Sequence, residues 1–235
     1  MRIACLSDTH GQHRRASIPE CDVFIYAGDM MYSGKKTKEV TDFNEWMKDQ
    51  PARHKVCIAG NHDLLFESSR ELALSCLTEP IYLQDSGVII DGVRFWGSPV
   101  QPEFCEWAFN VQRGAAIKHY WDLIPDGTDI LITHGPPFGI LDQANRRGEH
   151  LGCEELLKAV EAKKPKIHVF GHIHGGYGVW LHEKGVVANG SIGKAEGTIF
   201  INASFVDESY QAKNKPIVYT IQDGKVMADE QHIDE

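Results

Sequence analysis

Short apolar runs recur along the chain, and each one ends in a turn made of glycine and polar residues. Runs of about four to eight apolar residues that end in this way are typical of buried β-strands. The pattern predicts strands at 2–6, 22–27, 55–59, 129–133 and 166–170. Further short β-rich runs lie at 81–83, 87–90 and 93–96, and the chain beyond residue 179 is again rich in them.

Helical periodicity separates several of these strands. Apolar side chains recur at helical spacing over residues 35–48, and shorter helices are predicted at 67–77, 115–123 and 151–163. Strand, helix and strand in this order imply parallel pairing through a right-handed crossover. Asp91-Gly92 stands between two short β-rich runs, which indicates a hairpin and therefore antiparallel pairing. The pattern as a whole predicts an α/β protein that contains both kinds of strand pairing.

Polar side chains follow five of the predicted strands, at the point where each strand ends. Along the chain they are Asp8 and His10, Asp29, Asn61 and His62, His134, and His172 and His174. Open α/β sheets bind their ligands at the carboxyl ends of strands. Carboxylate, amide and imidazole groups without cysteine suit Mn²⁺, Fe or Zn²⁺ rather than a structural zinc site. Each cluster alone is compatible with an ordinary turn, but five such strand ends together favour a metal site.

Composition narrows the range of partners and locations. The chain has 33 acidic and 24 basic residues among 235, which gives a formal charge of −9. This charge, without a basic stripe, disfavours long nucleic acid and anionic membrane surfaces as partners. The length fits a single domain over 1–235, no segment approaches the length of a membrane span, and oligomeric state is left open. The 6 cysteines form no Cys-x-x-Cys pair, which favours free thiols and a cytoplasmic location.

The polar clusters stand in the order of a known set of motifs. They are Asp8-Thr9-His10, Gly28-Asp29, Gly60-Asn61-His62-Asp63, Thr133-His134 and Gly171-His172-Ile173-His174. In this order they resemble the motifs of the calcineurin-like metallophosphoesterases. Looser matches at 171–177, 201–204 and 216–218 resemble the subgroup of metallophosphoesterase domain-containing proteins. The resemblance implies a four-layer α/β/β/α sandwich with two mixed sheets and a dinuclear metal site at the strand ends.

The same resemblance implies a role for each residue. Asp8, His10 and His174 would bind the first ion, Asn61, His134 and His172 would bind the second, and Asp29 would bridge both. The ions would be two divalent cations, with Mn²⁺ preferred and Fe or Zn²⁺ as alternatives. Two such ions carry four positive charges and the two carboxylates return two negative ones, so the site would keep about two positive charges that attract a phosphate.

His62 is expected to face the substrate rather than to bind metal. In the implied mechanism a hydroxide that bridges the ions attacks phosphorus. His62, if protonated, neutralises the developing charge or protonates the leaving oxygen. Asp63 is predicted to orient His62 and to favour its cation, with a simple helix cap as the alternative.

The residues after Asp29 bear on the choice between diester and monoester. The protein serine/threonine phosphatases resemble this family but place an arginine soon after the Gly-Asp motif, where it holds a phosphate dianion. Here Met30 and Met31 follow Asp29, which favours a phosphodiester with a single charge. Arg146, Arg147 and His150 are partial substitutes for that arginine, although a solvated charged loop is the favoured interpretation of them.

The predicted activity is therefore that of a metal-dependent phosphodiesterase acting on a small molecule, with 2′,3′- or 3′,5′-cyclic nucleotides as candidate substrates. A phosphomonoesterase or a nuclease is the alternative among enzymes. A non-catalytic scaffold on the same fold, which binds a protein partner, is the alternative of another class. The stretch 98–114, which includes Phe104, Trp107 and Phe109, is predicted to be a lid or pocket wall, with ordinary loop packing as the alternative.

Overall fold

The computed structural model describes residues 1–144, 148–181, 185–187 and 197–228. The strands are β1 (Arg2–Leu6), β2 (Cys21–Ala27), β3 (Ala52–Ile58), β4 (Ile81–Tyr82), β5 (Ser86–Ile90), β6 (Val93–Ser98), β7 (Gln101–Pro102), β8 (Asn110–Val111), β9 (Ile130–Thr133), β10 (Ile167–Phe170), β11 (Gly178–Leu181), β12 (Gly185–Val187), β13 (Ile199–Asn202), β14 (Ile217–Gln222) and β15 (Lys225–Ala228). The α-helices are α1 (Thr37–Lys48), α2 (Leu64–Ser68), α3 (Arg70–Cys76), α4 (Ala115–Asp122) and α5 (Glu154–Lys163). Within these ranges, none of the helices combines the length and the apolar character needed to cross a membrane.

Two mixed sheets carry most of the strands. The first has the order β15-β14-β1-β2-β3-β4, in which β1 to β4 are parallel and β14 and β15 are antiparallel. The second has the order β12-β11-β13-β10-β9-β6-β5, with β13, β10, β9 and β6 parallel at its centre and antiparallel strands at both edges. The predicted mixture of parallel and antiparallel pairing is confirmed.

The central strands are apolar on both faces because each sheet is covered on both sides. In β1, Ile3 and Cys5 point toward the second sheet, whereas Ala4 and Leu6 point toward the helices. A side-chain period of two with both faces buried leaves a continuous apolar run. This is why β1 could be predicted with its bounds from the sequence alone.

Three buried cores separate four layers. Side chains such as Ile25 and Ile132 fill the space between the two sheets. The outer face of the first sheet packs against α1, where Phe43 and other apolar residues are buried. The outer face of the second sheet packs against α4 and α5, centred on Trp121. The layer order is α/β/β/α, so the predicted four-layer sandwich is confirmed.

Local boundaries differ from the predicted ones where a turn interrupts the periodicity. The helix expected over 67–77 is two helices, α2 and α3, because the backbone at Ser69 leaves the helical region with φ −151°. α5 begins at Glu154 rather than at 151, because the Sγ of Cys153 caps it by accepting a hydrogen bond from the Leu156 N–H. The parallel pair β7 and β8 lies within 98–114, where no periodicity predicted strands.

A buried histidine in the second sheet makes the stability of the fold sensitive to acid. His168 is fully buried in β10, and its Nε2–H donates to the Thr133 hydroxyl oxygen at 2.8 Å, because that hydroxyl itself donates to the Gly135 carbonyl. Its Nδ1 has no partner in the described structure. Burial lowers the pKa of His168 from its usual 6.5 to about 3. In the unfolded chain His168 becomes protonated as pH falls through about 6.5, whereas in the folded chain it stays neutral at that pH. The free energy of unfolding therefore decreases as pH falls below about 6.5.

We expect His168→Phe to flatten this pH dependence. Each unit of pH below 6.5 costs about 1.4 kcal/mol, so the wild type should lose about 2 kcal/mol from this residue between pH 7.5 and pH 5, and the variant should not. Urea unfolding at both pH values, in EDTA, measures the difference. His119→Phe, which removes an exposed histidine from α4, is the control. An equal pH dependence in wild type and His168→Phe would contradict the prediction.

Candidate metal centre

The carboxyl ends of five parallel strands meet at one edge of the sandwich. Three of them, β1, β2 and β3, belong to the first sheet, and β9 and β10 belong to the second. The turns after these strands bring together all eight residues that were singled out there: Asp8, His10, Asp29, Asn61, His62, His134, His172 and His174. The face-to-face packing of two sheets therefore assembles one site from clusters that are far apart in the chain.

The side chains form two groups that share Asp29. In the first group, the Nε2 of His174 lies 3.5 Å from the Oδ1 of Asp8 and 3.2 Å from the Nε2 of His10. The same His10 nitrogen lies 3.6 Å from the Oδ2 of Asp29. The other oxygen of Asp29, Oδ1, lies 3.4 Å from the Nε2 of His134 in the second group. One carboxylate thus presents one oxygen to each group.

The second group is completed by an amide. The Oδ1 of Asn61 lies 2.8 Å from the Nε2 of His134 and 2.8 Å from the Nδ1 of His172. An ion about 2.1 Å from each ligand would place neighbouring ligand atoms about 3–3.5 Å apart, and the ligand atoms of the two groups lie close to this spacing, at 2.8 to 3.6 Å. Carboxylate, amide and imidazole donors are the set that Mn²⁺, Fe and Zn²⁺ accept. The residues present therefore fit a divalent cation in each group.

Hydrogen bonds to backbone carbonyls orient two of the imidazoles. The Nδ1–H of His134 donates to the Ala27 carbonyl at 3.0 Å, and the Nδ1–H of His174 donates to the Asp207 carbonyl at 3.2 Å. Each bond leaves Nε2 as the nitrogen that faces the shared space. Metal-binding histidines are commonly held in this way.

Burial and mutual charge set the ionisation of these groups. Burial opposes ionisation of Asp29, but the facing His134 and His10 rings outweigh burial and hold the pKa of its carboxyl well below its usual range. Burial lowers the pKa of His10 to about 4 and that of His172 to about 3. Against its own burial, His134 has its pKa raised to about 9 by Asp29. The ionised carboxylates attract a cation, and that cation must displace the proton that His134 carries, because a histidine ligand binds metal in its neutral form.

Four of the predicted ligands have a left-handed backbone. The φ angles are 51° at Asp8, 44° at His10, 58° at Asp29 and 65° at His172. Such conformations cost a residue other than glycine about 1–3 kcal/mol each and cluster at functional sites. Bonds between neighbouring turns maintain them: the His10 N–H donates to the Asp29 carbonyl at 3.1 Å.

The position of Asp63 differs from the prediction that this residue orients His62. Its carboxylate is fully buried and accepts hydrogen bonds from the backbone N–H groups of Gly60, Asp29 and Met31 at 2.7 to 2.9 Å. The His62 ring has a different partner, because its Nδ1–H donates to the Tyr32 carbonyl at 3.3 Å. Asp63 therefore fastens the turn after β3 to the turn after β2, and its carboxylate does not bond to the His62 ring. Asp63 occupies the N-cap position of α2, but its side chain accepts no hydrogen bond from that helix.

The support of Asp8 by residues outside the motifs was missed. The hydroxyls of Ser7 and Ser204 donate to the Oδ2 of Asp8 at 2.5 and 3.0 Å, and the His172 N–H donates to the same carboxylate. Asn202 closes the turn from the other side by donating to the Ile173 carbonyl at 2.8 Å. Asn202 and Ser204 lie at the end of β13, so the strand-end criterion that found the other residues would have found them too.

A cavity of about 660 Å³ opens over the two groups. Phe104 and Trp107, from the stretch 98–114, line it. Tyr210 lines it as well, and its ring lies 4.8 Å from the His10 ring between centroids. Phe109 is instead buried against the first sheet. The stretch 98–114 therefore contributes a wall of the cavity.

Of the residues after His134 that were considered as phosphate ligands, the structure describes only His150. Arg146 and Arg147 lie outside the described residues. His150 bonds to the buried carboxylate of Asp142 at 2.6 Å and is not among the described residues that line the cavity. The lining does include Arg113, whose guanidinium donates to the Gly152 and Leu151 carbonyls and to Glu154. The lining guanidinium is thus already engaged.

Comparison with known proteins agrees with this arrangement. The family described as "Calcineurin-like phosphoesterase" matches residues 1–176, which include every motif at the five strand ends. The chain belongs to this family. Its relatives include the human metallophosphoesterase domain-containing protein 1, 42% identical over 241 residues that cover 92% of this chain and 70% of the human protein. The UPF0046 protein K07C11.7 of Caenorhabditis elegans is 37% identical, over 94% of this chain and 75% of its own length.

Solved structures show the same fold at low sequence identity. The crystal structure of TT1561 of Thermus thermophilus covers 90% of this chain and 96% of its own, with a TM-score of 0.54 and 13% identity. The resemblance at this identity concerns the fold alone. Family membership implies a hydrolase that works on phosphoesters with divalent metal, and the two groups of side chains that could hold a metal ion agree with it.

The close approach of Gly171 to Asp8 gives a test of the centre. A Cβ at Gly171 would overlap the Oδ2 of Asp8 and the hydroxyl of Ser7, whereas a Cβ at Gly135, beside His134, would meet atoms only at 3.8 Å and beyond. Gly171→Ala should displace Asp8 and weaken Mn²⁺ binding about 10- to 100-fold, whereas Gly135→Ala should bind as the wild type does. Isothermal titration with Mn²⁺ measures both. Equal affinities in the two variants would show that Asp8 is not a ligand.

Proposed function

We propose that the protein is a dinuclear metal-dependent phosphodiesterase that hydrolyses a small phosphodiester. The observation that carries the proposal is the position of Asp29, whose two oxygens point to two separate groups of ligand atoms. His62 stands next to both, since one of its ring nitrogens lies within 4.8 Å of the ligand atoms of His10 and Asp29. A site with two metal groups and one adjacent imidazole suits the in-line displacement of a phosphoester.

The residues of the two groups would hold one cation each. Asp8, His10 and His174 surround the first position, Asn61, His134 and His172 surround the second, and Asp29 belongs to both. When bound, such cations offset the charge of the phosphate and make hydroxide available near neutral pH. We propose Mn²⁺ as the native metal, with Fe and Zn²⁺ as alternatives, because the donors are nitrogen and oxygen without sulfur.

His62 is proposed to serve the leaving group. Its Nδ1–H donates a hydrogen bond to the Tyr32 carbonyl, which leaves Nε2 as the ring nitrogen available to a substrate. Its backbone N–H donates to the Oδ1 of Asp29 at 2.8 Å, so the ring is placed relative to the bridging carboxylate. As the oxygen of the attacking hydroxide bonds to phosphorus, the bond between phosphorus and the leaving oxygen breaks, and the leaving oxygen keeps the electron pair. That oxygen takes the proton from Nε2 of the protonated ring.

The lining of the cavity supports a diester rather than a monoester. A monoester dianion is usually held by a guanidinium fork. Among the described residues, the arginine that lines the cavity is Arg113, which is engaged with two carbonyls and Glu154. Glu103 and Glu208 line the same cavity and add negative charge. A diester with one charge meets less repulsion, and apolar side chains such as Phe104 can contact its organic groups.

A cyclic nucleotide is the substrate that we propose first, since it is a diester of a size that a cavity of about 660 Å³ can hold. A cytoplasmic location remains our proposal. It is supported by the 6 cysteines, all of which are free thiols.

The proposal is tested by stripping the protein of metal, adding back Mn²⁺, and comparing hydrolysis of bis-p-nitrophenyl phosphate with that of p-nitrophenyl phosphate. We expect cleavage that requires Mn²⁺ and favours the diester. His62→Ala should lower the rate about 10²- to 10⁴-fold for methyl phenyl phosphate, whose phenolate needs the proton, because general acid catalysis contributes that much. The loss should be smaller for bis-p-nitrophenyl phosphate, because p-nitrophenolate is a stable leaving group. The control variant His119→Ala changes an exposed histidine that is not among the described residues lining the cavity, and it should retain full activity.

A preference for the monoester would instead support a phosphomonoesterase. Cleavage of neither ester by protein that still binds Mn²⁺ would favour the non-catalytic scaffold. Cyclic nucleotides are the next substrates if the diester is cleaved.

A further inference from the structure

Trp107 stacks on His62 at the edge of the cavity. The two rings are nearly parallel, with 4.1 Å between centroids and 22° between planes. The imidazole has further contacts: the His10 ring meets it edge to face at 4.5 Å, and the Tyr32 carbonyl accepts its Nδ1–H. The His62 ring is therefore restrained on one face, at one edge and at one nitrogen.

The backbone around Trp107 is tied to the turns that carry the site. The Ala108 N–H donates to the carbonyl of Asn61, the residue before His62, at 3.1 Å. The Phe109 N–H donates to the Glu67 carboxylate at 2.7 Å. Because these bonds flank Trp107 on its C-terminal side, the indole keeps its place relative to His62.

The preceding part of the same loop is fixed as well. The side-chain amide of Asn110 donates to the carbonyls of Phe104 and Cys105 at 3.2 and 2.8 Å, and the Phe104 N–H donates back to it. The loop is held from both ends, and Trp107 itself is half-buried. A side chain supported in this way is a rigid partner for a ring that must hold one orientation.

We propose that Trp107 is a positioning residue that holds the His62 ring in the plane from which it reaches the leaving oxygen. The inference rests on the proposed function, because it assigns to Trp107 the support of the leaving-group step. The face of the indole that meets His62 is covered, so this face can act on the substrate only through the imidazole. Loss of this support should lower kcat most for those substrates whose leaving oxygen most needs a proton.

Two diesters that share a methyl ester and differ in the aryl leaving group can distinguish positioning of His62 by Trp107 from direct contact between Trp107 and the substrate. Methyl p-nitrophenyl phosphate releases a stable phenolate, whereas methyl phenyl phosphate releases a more basic one that needs the proton. Trp107→Leu should lower kcat for methyl phenyl phosphate at least about tenfold more than for the nitrophenyl ester, with KM nearly unchanged. Trp107→Phe, which retains a stacking ring, should recover most of the loss.

Two further arms make the test specific. In a His62→Ala background, Trp107→Leu should add no further loss, because the pair acts as a unit. Phe138→Leu removes an aromatic residue that is 38% exposed and does not line the cavity within the described ranges, and it should behave as the wild type. Proton NMR of the zinc-loaded protein supplies a readout besides activity: the His62 ring protons, shifted upfield by the indole, should move downfield in Trp107→Leu.

The outcomes separate this inference from the function on which it rests. Equal loss for both diesters, a rise in KM at constant kcat, additivity with His62→Ala, or unmoved ring protons would each overturn the role of Trp107 and leave the phosphodiesterase in place. A wild-type protein that cleaves neither diester would overturn the proposed function and the leaving-group role together.

Discussion

Two buried carboxylates at the strand ends are the constraint on which the rest of the site depends. Asp8 and Asp29 are almost completely shielded from water, and a buried carboxylate costs several kcal/mol unless charge or hydrogen bonds compensate it. Their compensation comes from imidazoles, from the Ser7 and Ser204 hydroxyls and from backbone N–H groups. Because these groups are neutral or weakly basic, they do not cancel the negative charge of the two carboxylates, and metal cations can balance the remainder.

The packing of the two sheets brings the charged side chains of the site together. Strand ends from two sheets meet at one edge, so that each sheet brings ligands of its own and Asp29 reaches both groups. Asp63 then joins the turns after β2 and β3 through buried hydrogen bonds. Aromatic side chains line the cavity above, and Arg113, the arginine that lines it within the described part of the chain, is already engaged. Under the proposed function, positive charge would come from the ions, and Trp107 and His62 would act on the leaving group.

The sequence predicted those features that depend on local pattern. β1 could be delimited because both of its faces are buried and it reads as one apolar run before Asp8. The positions of the ligands followed from the rule that side chains at the carboxyl ends of parallel strands come together. The family resemblance then gave the layer order, which local pattern alone did not.

Features that depend on contacts through space could not be predicted in the same way. Asp63 follows His62 in the chain, but its carboxylate turns into the interior, where the Asp29 and Gly60 amides need an acceptor. The stack of Trp107 on His62 joins residues 45 positions apart (107 − 62) in a stretch without periodicity. β7 and β8 have two residues each, too few to produce a pattern.

The bridging role of Asp29 is the central claim, and electron paramagnetic resonance of the protein loaded with about two equivalents of Mn²⁺ tests it most directly. A carboxylate shared between two ions should couple their spins, so we predict the spectrum of an exchange-coupled pair in the wild type and loss of that coupling in Asp29→Asn. A spectrum of isolated ions in the wild type, or binding of a single equivalent, would contradict the account.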